Sequence, residues 1–252
     1  MIKIKNLDHR YSDSENFALK SINVEIKDNK ITAIMGENGS GKTTLLRAIA
    51  GLIEPTKGTI KIDHDEIGFS PEDPELGFFA EDVKTEVEFY PKNLGLDHEK
   101  EAERVLTILG IQNLRDRLPH LLSSGEQRLV SIASVLSGDP DILILDEPTH
   151  SMHRKGEETI GEVLKDIDKS IVFSTHSSEF ALQYADEIIV MHNGEVIAQG
   201  KTEDVLQRES ILEKAGIRVP GLVQWAKERD LGKIPGSMEE AYNMAKERGE
   251  LG

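Results

Sequence analysis

Residues 31–53 read ITAIMGENGSGKTTLLRAIAGLI, and the fold class turns on how they are read. The run from Ile31 to Met35 is short, apolar and partly β-branched, the composition of a strand buried within a sheet. A glycine-rich loop, Gly36-Glu37-Asn38-Gly39-Ser40-Gly41-Lys42-Thr43, leads from it into an apolar helix. Strand, loop and helix in that order form the phosphate-loop pattern in the context that gives it meaning. The glycines let successive backbone N–H groups turn inward as an anion cradle at a helix N-terminus. Gly36, Asn38, Gly39, Ser40 and Gly41 form the cradle, and Lys42 reaches the β- and γ-phosphates of a nucleotide. The Thr43 hydroxyl ligates Mg2+, and Thr44 completes the nucleotide-binding set.

Outward from this loop, strand-like and helix-like segments alternate, which predicts an α/β fold. Strands are expected at residues 2–7, 22–26, 31–35, 59–62, 142–145 and 171–174. A hairpin is expected in EIIVMHNGEVIAQG, where Asn193-Gly194 suits the positive φ angles of a tight turn. Residues 82–136 read as mostly helical and charged, an insertion between sheet strands. Beyond Gly200 only helices are expected, one capped by Thr202 and another opened by a capping box at Ser237 and Glu240.

At 252 residues the chain suits one large domain or two small ones, with room for a sizeable core. With 46 acidic against 30 basic residues the net charge is -16, which argues against nucleic acid as a partner, because that affinity comes from neutralising phosphates. There is no cysteine, so disulfides and thiolate metal sites are excluded. No secretory signal opens the chain, and no apolar run is long enough to span a bilayer. A cytoplasmic protein is expected, and any membrane role must pass through a partner.

The second informative stretch is ILILDEPTHSMHRKG, residues 142–156. An apolar strand closing on two acids complements a phosphate loop: Asp146 is the Mg2+ acid, and Glu147 is the general base that takes a proton from the attacking water. His150 and His153 are three apart, the spacing of metal ligands on a helix face. They fall in an expected loop with no thiol nearby, so solvated loop histidines are preferred to a metal site.

Upstream, LLSSGEQRLVSIASVL places Ser123 and Glu126 at capping-box spacing, at the start of a helix whose positive end can face phosphate. With this motif the chain resembles the ATP-binding subunits of ABC transporters, whose Leu-Ser-Gly-Gly-Gln signature stands here as Leu122-Ser123-Ser124-Gly125-Glu126. The helical stretch from EIGFSPEDPELGFF onward and the tail ILEKAGIRVPGLVQWAKERDLGKIPGSMEEAY are similar to energy-coupling-factor ATPases, which power uptake of vitamins, cobalt or nickel. The resemblance covers essentially the whole chain. It implies a P-loop NTPase core with an antiparallel β subdomain, an inserted helical subdomain at about 82–136 and a C-terminal helical extension. The nucleotide-binding domain then spans residues 1–201 and the extension 202–252.

The resemblance also implies that Tyr11 stacks on adenine, that His176 in STHSSEF contacts the γ-phosphate, and that Ser123, Ser124, Gly125 and Glu126 engage a nucleotide held by a second ATPase subunit. It implies ATP and Mg2+ as ligands, an integral membrane partner, and a place at the cytoplasmic face of the membrane. Three positions depart from the family pattern. Glu72 stands where family members carry glutamine, on the approach to the metal; His153 stands where they carry aspartate; Ser124 replaces a glycine. Glu72 is acceptor-only, and two like charges ~4 Å apart repel by about 4 kcal/mol at an effective dielectric of ~20. The consequence is expected in turnover and coupling more than in nucleotide binding.

The leading function is therefore the ATP-hydrolysing subunit of an energy-coupling-factor importer. A nucleotide-binding subunit of weak turnover, the degenerate half of a heterodimer, is the alternative. A soluble ABC protein acting in repair or translation is disfavoured by the acidic charge.

Overall fold

The computed structural model describes residues 1–249. Two sheets organise the chain. The first is an antiparallel layer in which β1 (Ile2–His9) lies between β2 (Leu19–Ile26) and a later strand, β4 (Lys57–Ile62). Between β2 and β4 come β3 (Ile31–Met35) and α1 (Lys42–Ile49), the strand and helix that flank the phosphate loop. The chain then forms β5 (Ile67–Ser70), α2 (Val83–Asn93), α3 (His98–Ile108), α4 (Ser124–Leu136), β6 (Ile142–Leu145), α5 (Arg154–Asp166), β7 (Ser170–Thr175), α6 (Ser178–Tyr184), β8 (Glu187–His192) and β9 (Glu195–Lys201). Four helices follow: α7 (Thr202–Leu206), α8 (Glu209–Lys214), α9 (Gly221–Glu228) and α10 (Met238–Glu247).

The second sheet runs β5-β6-β7-β3-β8-β9, parallel throughout except for the β8–β9 hairpin at its edge. Its inner strands are buried on both faces, so β6 is an unbroken apolar run and β7 carries Ile171, Val172 and Phe173 at its centre. Alternation along each strand sends side chains to two cores. Ala33, Leu143, Phe173 and Val190 join the helices of the middle and C-terminal parts of the chain. Ile34, Ile144, Val172 and Ile189 face α1 and the antiparallel layer. Each side of the central sheet thus holds it rigid, and with it the strand ends that carry the polar residues.

Three differences from the sequence reading have local causes. Residues 67–70 form a strand that was not expected, because Gly68 and Ser70 break its apolar run. Thr202 is the first residue of α7 rather than its cap; its hydroxyl donates to the Ala185 carbonyl at 2.7 Å, and Lys201 takes the cap position. At α10 only half of the capping box forms. Ser237 accepts from Glu240 N, but the Glu240 carboxylate accepts from Gly236 N and Lys233 instead. The expected hairpin turn is present, with φ of 50° at Asn193 and 81° at Gly194.

The box at α4 is complete: Ser123 Oγ accepts from Glu126 N, and Glu126 Oε2 accepts from Ser123 N at 2.9 Å. Hydrogen bonds from the Ser123 hydroxyl and then the Ser123 N–H hold the Glu126 carboxyl below its ordinary range. Its contribution is therefore full above the ordinary glutamate range and is lost as pH falls through the lower folded-state value. Ser123→Ala is expected to cost about 1 kcal/mol of stability at neutral pH. In denaturant titrations the gap between variant and wild type is expected to narrow on strong acidification; a gap that widens in acid contradicts the box.

Candidate functional site

The phosphate loop owes its shape to close backbone approaches. A Cβ at Gly36 would lie 2.4 Å from the Met191 carbonyl oxygen, and Gly41, at φ 105°, would put one 2.8 Å from that of Ala18. Gly41 caps α1 without a side-chain bond, so the first-turn amides of the helix keep their donors for an anion. A backbone bond ties the loop to the C-terminal helices: Glu37 N donates to the Ala215 carbonyl at 3.1 Å. Lys42, nearly buried, curls back over the loop and donates to the carbonyls of Gly36 at 2.9 Å and Glu37 at 3.3 Å.

The ends of β6 and β7 deliver the acids. Asp146 is buried, and its Oδ1 accepts from Ser174 Oγ at 2.6 Å. Ser174 Oγ in turn accepts from Glu147 N at 2.8 Å, so one hydroxyl fixes both acidic residues. Glu147 adopts a φ of 46°, in the left-handed region that side chains other than glycine rarely occupy, and this aims its carboxylate back toward the loop. There Oε1 lies 3.6 Å from Lys42 Nζ, and Oε2 accepts from His176 Nδ1 at 3.0 Å.

These groups converge on a cavity of about 630 Å3 whose wall includes Asn38, Gly39, Lys42, Thr43, Thr44, Glu72, Glu147 and His176. An adjoining cleft of about 410 Å3 is bordered by Thr43, Glu72, Asp146 and Ser124. Oxygen donors from Thr43 and Glu72 at the join, with Asp146 on the cleft side, suit a hard divalent cation. No cluster of three or more metal-binding side chains exists among the described residues, so a cation there would need oxygens from the nucleotide as well. A separate cavity of about 670 Å3, between α5 and α6 and the helices α9 and α10, is walled by Phe180, Tyr184 and Trp225. Its aromatic surface offers nothing comparable to the amide cradle.

Other expected residues lie further out. Tyr11 is not among the residues that line the cavity; its hydroxyl lies 3.3 Å from Oγ1 of Thr44, which does, and its ring is edge-on to His9. Within this one chain Ser123, Gly125 and Glu126 line neither the cavity nor the cleft; only Ser124 borders the cleft. His153 is exposed and occupies the cap position of α5 without a side-chain bond. His150 is exposed in its loop, as the solvated reading expects, and is also among the residues that line both the cavity and the cleft.

Two further positions were passed over in the sequence. Ser174 is one of three buried hydroxyl residues of β7, with Ser170 and Thr175, and nothing in its local sequence marks it for this role. Arg128, fully buried on α4, donates to the carbonyls of Pro71 and Glu72 and so ties the Glu72 loop to the helix that begins at the signature residues. Burial pushes its guanidinium down from its ordinary value, while Glu72 and Asp146 oppose that shift.

Residues 19–150 match the family described as ABC transporter. An energy-coupling factor transporter ATP-binding protein, EcfA2 of Clostridium perfringens, is 35% identical across 87% of this chain and 86% of its own length. Among solved structures, cbiO1 from Clostridium perfringens, part of the transporter complex cbiONQ, superimposes with a TM-score of 0.74 at 33% identity over 90% of this chain and 98% of that one. A dimeric ATP-binding cassette in a post-hydrolysis state, bound to ADP and Pi, gives 0.74 at 29% identity over 80% of this chain and 99% of that one.

Proposed function

The chain belongs to the ABC transporter family of ATP-binding proteins, and on that premise we propose that it is the ATP-hydrolysing subunit of an energy-coupling-factor importer. In this role it works at the cytoplasmic face of a membrane and powers uptake of a metal ion or vitamin through an integral membrane partner. We assign residues 1–201 to the nucleotide-binding domain and 202–252 to its extension. The observation that carries the reading is the junction of Lys42, Glu147 and His176 on one cavity wall, with a buried carboxylate between a lysine and an imidazole.

Each residue then has a task. The loop amides and Lys42 bind the β- and γ-phosphates, and Tyr11 stacks on the adenine. Thr43 and Asp146, with Glu72 on the approach, would hold Mg2+, which when bound neutralises phosphate charge. Glu147 accepts the proton of the attacking water, and His176 orients it through Nδ1 while bordering the terminal phosphate.

A docking surface for the membrane partner is supported by Leu76, Phe79 and Phe89, apolar and exposed close to the loop that carries Glu72. Phe79 and Phe89 meet edge to face at 4.4 Å. No helix among the described residues is long and apolar enough to cross a membrane.

The second ATPase subunit is proposed to be a sibling rather than an identical copy. This chain's own half retains Lys42, Thr43, Asp146, Glu147 and His176, whereas Ser124 and His153, which serve the partner's nucleotide, have drifted. A homodimer would build both sites from the drifted elements; a heterodimer would leave this chain's nucleotide well served. Slow hydrolysis is expected from the isolated chain and faster hydrolysis once the sibling is added. In the mixture Glu147→Gln is expected to remove most of the activity, and the equivalent change in the sibling to remove less. Full activity from this chain alone, or equal losses from the two variants, refutes the asymmetric pairing.

A further inference from the structure

The mechanism above leaves one imidazole at the phosphate cavity unused. His150 follows β6 at the end of a tight turn, its N–H donating to the Glu147 carbonyl at 3.0 Å. Its ring stands edge-on to that of His176, with centroids 6.4 Å apart and planes at 68°. Together with Thr43 and Glu72 it belongs to the wall common to the phosphate cavity and the adjoining cleft. The residue is exposed, and neither ring nitrogen is hydrogen-bonded to protein among the described residues.

Charged donors on the phosphate cavity are few. Glu72 and Glu147 face the cavity against a single lysine, Lys42, which already lies beside Glu147. Beside the loop amides and the Thr43 hydroxyl, the acceptor-only carboxylates of Glu72 and Glu147 face the same space, and unpaired acceptors facing an anion are costly.

We propose that His150 is a second imidazole of the phosphate site, donating a ring N–H to the terminal phosphate of ATP and offsetting the Glu72 carboxylate beside it. The assignment rests on the nucleotide reading above. It explains how the chain carries glutamate at position 72 and still accepts a triphosphate. It also makes His150 a contact that distinguishes ATP from ADP, since the bond is to the phosphate that ADP lacks.

The test is a calorimetric titration of the full chain with ADP and with the β,γ-imido analogue of ATP, for the wild type and for His150→Ala, His150→Phe and His150→Gln. Loss of a hydrogen bond to a charged group predicts about a 10-fold weaker affinity for the ATP analogue in the alanine and phenylalanine variants. Affinity for ADP is expected to stay unchanged, which also shows that the fold is intact, and glutamine, which retains an N–H donor, is expected to restore most of the loss. Equal losses for both nucleotides would make His150 a structural residue only. Unchanged affinity in His150→Phe would mean that edge packing on His176 is all the ring supplies. Either result, or an alanine variant indistinguishable from a wild type that binds the analogue, overturns the inference alone. A wild type that bound neither nucleotide would overturn the nucleotide reading itself.

Discussion

Glu147→Gln is expected to leave ATP bound and reduce steady-state hydrolysis by about 10²–10⁴-fold, the range for loss of a general base. Glutamine keeps the volume of the side chain and an oxygen for His176 Nδ1, now 3.0 Å from Glu147 Oε2. What disappears is the negative charge 3.6 Å from Lys42 Nζ and the ability to take a proton from water. Removing that charge frees Lys42 for the triphosphate and removes a repulsion, so ATP affinity is expected to hold or rise. Asp146 is not expected to substitute, because it is buried and its Oδ1 is committed to Ser174. Nucleotide titration and a phosphate-release assay on the same preparation check both halves. Lost binding with hydrolysis per bound ATP preserved would exchange the roles of the two acids.

Lys42→Ala is expected to act on binding, with ATP affinity falling by about 10²-fold, in the range for charge-assisted bonds to phosphate. It has a second effect that must be separated from the first. Lys42 and Glu147 are both nearly buried, and deleting one partner of a buried pair costs about 3 kcal/mol because the other charge is left uncompensated. The double variant Lys42→Ala with Glu147→Gln is therefore expected to recover thermal stability but not nucleotide affinity. Unchanged ATP affinity in the single variant would remove Lys42 from the phosphate site. Affinity that returned along with stability in the double variant would show that only folding had been affected.

The parts of this protein that were legible in its sequence are those whose cause is local. The Gly36–Gly41 loop, the hairpin turn at Asn193-Gly194 and the Ser123–Glu126 box follow from backbone geometry and from side chains a few residues apart. The strand β6 and the centre of β7 show as apolar runs because both of their faces are covered. Tertiary structure decided the rest. The order β5-β6-β7-β3-β8-β9 sets Met35 opposite Thr175 and Val190, pairings between residues more than a hundred positions apart that no local pattern encodes. The β5 strand, four residues long, becomes one only by pairing with β6. Ser174 reaches Asp146 and Glu147 because β6 and β7 are neighbours in the sheet, and Arg128 reaches the Glu72 loop because α4 packs beside β5. His150 looks like any loop histidine until the left-handed turn at Glu147 brings its ring to the cavity wall. The residue types for phosphate chemistry can be read along the chain, but their meeting at one wall depends on strand order and on a backbone angle at a single glutamate, both set by packing across the whole fold.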